Sequence, residues 1–150
     1  MRSTINRLSR FTRNRSLGLL LIRFATGLVF FMHGWMKVNN IGFVEDMFMH
    51  MGFAGPVGLF IGWLEVIGGL ALILGIFTRL FGVIFGIEML VAIFATGGFN
   101  GYSQHEMEIF LMLVSLGIAL AGSGSYSLWK MECELCGGML CRADLDCPGK

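Results

Sequence analysis

Four long apolar runs alternate with short polar stretches along the chain, at residues 17–36, 56–77, 80–96 and about 106–121. The first holds about twenty residues, enough as a helix to cross the ~30 Å hydrocarbon layer of a bilayer. In the connection at 37–55, Val44, Met47, Phe48 and Met51 keep helical spacing among Glu45, Asp46 and His50. That spacing predicts a short interfacial helix there. Pro56 suits the first turn of the second run, where its missing N–H is no loss. Thr78 and Arg79 leave room only for a tight connection, and the Gly-rich stretch 97–104 joins the last two runs. The pattern predicts an all-α protein, an integral membrane four-helix bundle over residues 17–128. A basic segment at 1–16 precedes it, and a short Cys-rich tail at 129–150 follows.

Composition supports the membrane reading. Of 150 residues, 55% are hydrophobic and 14% charged, with a mean hydropathy of +0.74; an average soluble domain is about 25% charged. The net charge of +1 implies no acidic partner, but its distribution is uneven. Arg2, Arg7, Arg10, Arg13 and Arg15 precede the first run with no acid among them. The positive-inside rule then sets both termini and Arg79 in the cytoplasm, and the connections at 37–55 and 97–105 outside. The expected place is the inner membrane, crossed several times. Ile5, Leu8 and Phe11 recur every three residues among the arginines, as in an amphipathic helix lying on anionic lipid; a disordered basic tail is the alternative. The head resembles a signal peptide, but Arg23 interrupts its apolar core and no convincing cleavage site follows. Membrane lipids are thus the expected neighbours, and no nucleic-acid-binding pattern is present.

Ionisable residues inside the runs carry the candidate chemistry, because such groups are costly in lipid and face protein or water. Arg23 stands about 9 Å from the inner end of its run and Glu88 about 12 Å from the inner end of the third. Their matched depth predicts a buried ion pair. Glu65 stands about 13 Å from the outer end of the second run. His33 and Lys37 lie four apart near the outer end of the first, and Glu106 and Glu108 open the fourth at that level. His33, Lys37 and Glu65 form a candidate polar pocket, a titratable imidazole beside a carboxylate and an amine. It lies in the outer half, where a small quinone or polar solute can enter. The alternative for both groups is structural, with polar pairs fixing helix register. His50 and His105 read as solvated loop residues. Gly58 with Gly62, and Gly82 with Gly86, are GxxxG pairs for close helix approach, with Gly68, Gly69 and Gly75 as further approach points.

All four cysteines fall in the tail, as Cys133-x2-Cys136-Gly-Gly followed by Cys141 and Cys147. Cytoplasmic thiols stay reduced, and four thiolates suit tetrahedral zinc. The wide Cys141–Cys147 spacing leaves an iron–sulfur cluster, a disulfide or thiol-exchange pair, and unliganded thiols as alternatives. No haem-attachment motif, phosphate loop or nucleophile elbow occurs.

The pattern Arg23-x3-Gly27-x5-His33-Gly34-x2-Lys37, then Glu65-x2-Gly68-Gly69, then Gly75-x2-Thr78-Arg79, resembles the DoxX family of small four-span membrane proteins. Residues 122–128, GSGSYSL, are similar to the family's terminal stretch, so the resemblance covers about 17–128. After it, Trp129 and Lys130 stand where the family pattern has an acid, and the cysteine tail is extra. The resemblance implies association with redox systems, since relatives include a DoxD-type thiosulfate:quinone oxidoreductase subunit. It singles out Arg23, His33, Lys37, Glu65 and Arg79 without making any of them catalytic. The function it implies is that of an accessory subunit of a respiratory or quinone-linked oxidoreductase complex, partnered by other membrane or redox subunits. The alternatives are an autonomous quinone-dependent oxidoreductase working at His33, Lys37 and Glu65, and a small-solute or proton pathway.

Overall fold

A computed structural model describes residues 15–96 and 105–124. The basic segment at 1–14, the stretch 97–104 and the tail from 125, with Cys133, Cys136, Cys141 and Cys147, lie outside the described residues. Five helices follow in order: α1 (Arg15–Asn39), α2 (Ile41–His50), α3 (Gly55–Leu74), α4 (Thr78–Ala95) and α5 (Glu106–Ala121). Among the described residues, α1, α3 and α4 are each long and apolar enough to cross a membrane. Helix α5 has 16 residues, about 24 Å, and stops short of a full crossing. Helix α1 packs mainly on α3 and α4 mainly on α5. Lighter contacts of α3 with α4 and of α1 with α5 close these four helices into a ring, and α2 rests on α3.

The ring is sorted for lipid. Phe60, Ile67, Ile87, Phe94, Leu113 and Leu120 point outward, while Arg23, Thr26, Glu65, Thr78, His105 and Ser115 are buried. Apolar side chains facing hydrocarbon need no cover, whereas polar groups at that depth must face protein or water. Each ring helix adds to the central core of Phe30, Leu72, Phe85, Met89, Leu111 and Ile118. The rings of Phe30 and Phe85 stack with centroids 3.8 Å apart and planes 8° from parallel.

Glycines set the α1–α3 register. Gly27 faces Gly69, and Gly34 faces Gly62: a Cβ added at Gly27 would lie 2.6 Å from Gly69 O, and one at Gly34 2.5 Å from Gly62 O. The two pairs are seven residues apart on both helices of this antiparallel seam, two helical turns. The predicted GxxxG pairs split in use. Gly82 and Gly86 receive Ala119 and Leu116 of α5, while Gly58 receives Val44 and Phe48 of α2 and only Gly62 meets α1.

The second connection comes earlier than the sequence reading has it, at three residues, 75–77, instead of the two at 78–79. Helix α3 ends at Leu74, and Gly75 takes the left-handed conformation at φ 77°. The Ile76 N–H then donates to Ala71 O at 2.9 Å, closing a Schellman-type cap. Phe77 also has positive φ, 47°, and α4 starts at Thr78 rather than at 80. The chain needs only three residues to reverse, so both flanking helices begin their count from the same turn.

Candidate functional site

The best-defined polar contact within the ring joins α1 to α3. Lys37 Nζ donates to Glu65 Oε1 at 2.7 Å. Glu65 is 1% exposed and Lys37 23%. The Gly34–Gly62 crossing puts Lys37 about 9 Å further outward than Glu65 along the axis. Side chains close the gap, because Cα–Cβ bonds tilt toward a helix's own N-terminus. In this antiparallel pair Lys37 leans inward and Glu65 leans outward, so they meet.

Glu88 joins this pair rather than Arg23. Its charge neighbours are Glu65 and Lys37. Neither of its carboxylate oxygens accepts a hydrogen bond from a described residue, Arg23 included, and Glu65 Oε2 has no partner among the described residues either. The expected Arg23–Glu88 pair is therefore corrected. Glu65 lies nine residues before the end of α3 and Glu88 ten after the start of α4. Measured from their shared turn, the two carboxyls stand level across the α3–α4 hairpin. Arg23 sits four residues inward of the Gly27–Gly69 crossing, about 12 Å below that level.

Arg23 has another task. It is 2% exposed, and its guanidinium donates to the backbone carbonyl of Ser123, just past the end of α5. A cation there faces the negative end of the helix dipole. Arg79 closes on the same segment: a Cβ on Gly122 would lie 3.0 Å from Arg79 Nε. Two of the residues singled out by the resemblance thus meet the segment just past α5, Arg23 from α1 and Arg79 from α4.

His33 is not in the pocket. The inward stripe of α1 runs Arg23, Thr26, Gly27, Phe30, Gly34 and, half-buried, Lys37, whereas His33 is exposed. Residues four apart on a helix differ by about 40° in direction, enough to turn His33 out beside Gly34. His105 corrects in the other direction. It is 4% exposed, because it holds the N-cap position of α5, where the chain enters the ring. His50 is exposed as expected, with Nδ1 2.7 Å from Asp46 O. Glu106 and Glu108 lie in the first turn of α5, the end at which a helix favours acids.

A surface groove of about 730 Å³ lies elsewhere, between α2 and the end of α4, lined by Phe43, Asp46, Met47, His50, Met51, Ala95 and Thr96. It includes none of Lys37, Glu65 and Glu88. Among the described residues no three His, Cys, Asp or Glu side chains are grouped to hold a metal ion.

The arrangement therefore reads as a charged layer, Lys37–Glu65–Glu88, within an apolar ring. It sets two carboxyl groups and one amine close to one level of the bundle. Its third member, Glu88, was legible only by counting from the turn.

Residues 18–98 match the family model described as DoxX. The protein named "Putative oxidoreductase CatD" from Bacillus subtilis (strain 168) is 33% identical over 110 residues, covering 71% of this chain and 81% of that protein. No solved structure matches the chain.

Proposed function

The chain belongs to the DoxX family and is a multi-pass membrane protein, and from that premise we propose that it serves as an accessory membrane subunit of a quinone-linked redox complex. The observation that carries this reading is the Lys37–Glu65–Glu88 layer. Carboxyl and ammonium groups move protons and carry no electrons, so a redox reaction served by this layer draws its electrons from a partner. The Bacillus subtilis relative bears the name of an oxidoreductase, which supports the redox setting. Quinone chemistry joins protons to electrons and takes place within the bilayer, at the depth of these residues. Glu65 is too deeply covered to touch a quinone ring, so the contact falls to the half-buried Lys37.

The orientation proposed is that of an inner-membrane protein with both termini in the cytoplasm, supported by the arginines of the N-terminal segment and by Arg79 in the first turn of α4. On that side Cys133, Cys136, Cys141 and Cys147 are proposed to hold zinc, giving the tail a rigid surface for the partner. The pathway reading is disfavoured by the apolar packing of Phe30, Leu72 and Phe85 inward of the charged layer.

Purification in mild detergent tests the proposal. The expected result is a stable larger assembly that reduces or oxidises a quinone, with Glu88→Gln lowering its turnover. Quinone-dependent activity of the isolated chain would replace the subunit reading by the autonomous enzyme.

A further inference from the structure

We propose that Glu65 and Glu88 bind a single proton between them, exchanged with the α2 side of the membrane only. The inference stands whether or not the chain works beside a quinone.

Charge balance is the first ground. The layer contains two carboxyls and one ammonium. Fully ionised, it carries one uncompensated negative charge inside an apolar ring, and an unpaired buried charge is strongly disfavoured. Arg23 is about 12 Å away along the axis and engaged at Ser123. His33 is turned outward. From α5, the element packed on α4, Leu111 and Ile118 face the core, Ser115 adds only a neutral hydroxyl, and buried His105 stands six residues, about 9 Å, outward of Leu111; from α2, Glu45 lies beside Gly55, about 15 Å outward of Glu65. A cation must then come from outside the layer.

The ligand set says which cation. Glu65 Oε1 is taken by Lys37. Glu65 Oε2 and both oxygens of Glu88 are buried and accept no hydrogen bond from described residues. Three oxygens on two side chains are far fewer than the six to eight that a hard metal cation such as calcium collects. A proton needs only two facing oxygens, one to carry it and one to accept it, and carboxyls sharing a site hold one in this way.

Access is the third ground. Lys37 is partly exposed at the end of α1 where α2 begins, so the layer meets that side through Lys37. Inward of it, Phe85 lies one turn from Glu88 with its ring edge against Gly68, and Phe30 is stacked on it. Phe30 and Phe85 are 1% and 0% exposed. The hydroxyl of Ser115 is buried at about that level and does not by itself span the rings. The proton site is a blind well.

Infrared spectroscopy of the full chain reconstituted in lipid vesicles tests this. At neutral pH the wild type is expected to show the C=O stretch of a protonated carboxylic acid, shifted by deuterium exchange. Glu65→Gln and Glu88→Gln should each abolish it, because the surviving carboxylate then pairs with Lys37. Lys37→Met should retain it. In vesicles of one orientation, a pH step on the α2 side should move the band and a step on the other side should not. A wild-type spectrum lacking the band overturns the proposal without any variant being needed. A band that survives Glu88→Gln, or one that disappears when sodium replaces potassium, overturns the shared proton. A response from both sides overturns the blind well.

Discussion

Replacing Gly34 by alanine adds only one carbon and two hydrogens, yet it should weaken the bundle where the same change elsewhere strengthens it. The new Cβ would stand 2.5 Å from Gly62 O, 2.7 Å from Val66 N and 2.8 Å from Glu65 Cβ. Backbone supplies two of those atoms and the root of a buried side chain the third, so no rotamer change relieves the overlap. Normal contact requires α1 and α3 to part by about 1 Å, and a gap of that size forfeits roughly a quarter to a half of the dispersion well of each atom pair across the seam. Overpacking of this kind costs about 1–3 kcal/mol. Gly117, on the outer face of α5, has nothing within 4 Å of its would-be Cβ. There alanine should stabilise by up to about 1 kcal/mol through helix propensity alone. Thermal unfolding of the two variants in one detergent gives the comparison, and the difference between them should reach about 2–4 kcal/mol. Equal midpoints, or a Gly34→Ala protein more stable than Gly117→Ala, would refute the claim that backbone contact defines this seam.

Four further outcomes are expected. Lys37→Met should destabilise the protein by about 3 kcal/mol, because it leaves two carboxyls facing each other, and should do so more than Glu65→Leu, after which Lys37 can turn to Glu88 or to the rim; melting curves in the reverse order would contradict the layer. Arg23→Met removes a charged donor from the Ser123 carbonyl and should cost about 1.5–3 kcal/mol, with faster hydrogen exchange at the end of α5 as its local sign. Gly75→Ala forces a side chain to φ 77° and should cost about 1–2 kcal/mol, visible as a lowered midpoint with unchanged helix content by circular dichroism. Elemental analysis of the purified chain should find about one zinc ion per molecule, lost when any one of Cys133, Cys136, Cys141 or Cys147 becomes serine; two intact disulfides in its place would overturn the proposed orientation.

The all-helical membrane bundle was legible because lipid imposes a coarse rule that a run of apolar residues states openly. The interfacial helix followed from the spacing of Val44, Met47, Phe48 and Met51, and appears as α2. Pro56 sits in the first turn of α3, as its missing N–H requires. Partnership between charges was less legible, because depth was counted from run ends that polar residues blur. Thr78 and Arg79 look like a loop and belong to α4. Once the turn is placed at Gly75–Phe77, the near-equal counts to Glu65 and Glu88 give their pairing at once. The seam between α1 and α3 was also in the sequence, as the seven-residue spacing shared by Gly27 and Gly34 with Gly62 and Gly69, but a search for four-residue glycine pairs passes over it. His33 shows the remaining difficulty. A 40° offset separates lining a cavity from facing out, and neighbouring packing, not spacing, decides which side of the line a residue falls on.

With the stacked rings beneath it, the proton site proposed above would also act as a fractional voltmeter. Glu65 lies ten residues into α3 from Gly55, about 15 Å and so roughly half of a ~30 Å hydrocarbon layer. A positive charge that enters from the α2 side and stops at the rings crosses about half of the transmembrane potential. A full crossing is worth about 2.3 kcal/mol per 100 mV, so this half crossing is worth about 1.1. A potential negative on the side of the Gly75 turn should therefore raise occupancy of the well about sevenfold per 100 mV. A conduit open at both ends would equilibrate and could not hold that bias; a closed one registers the energised state of the membrane as the charge on a single pair of carboxyls.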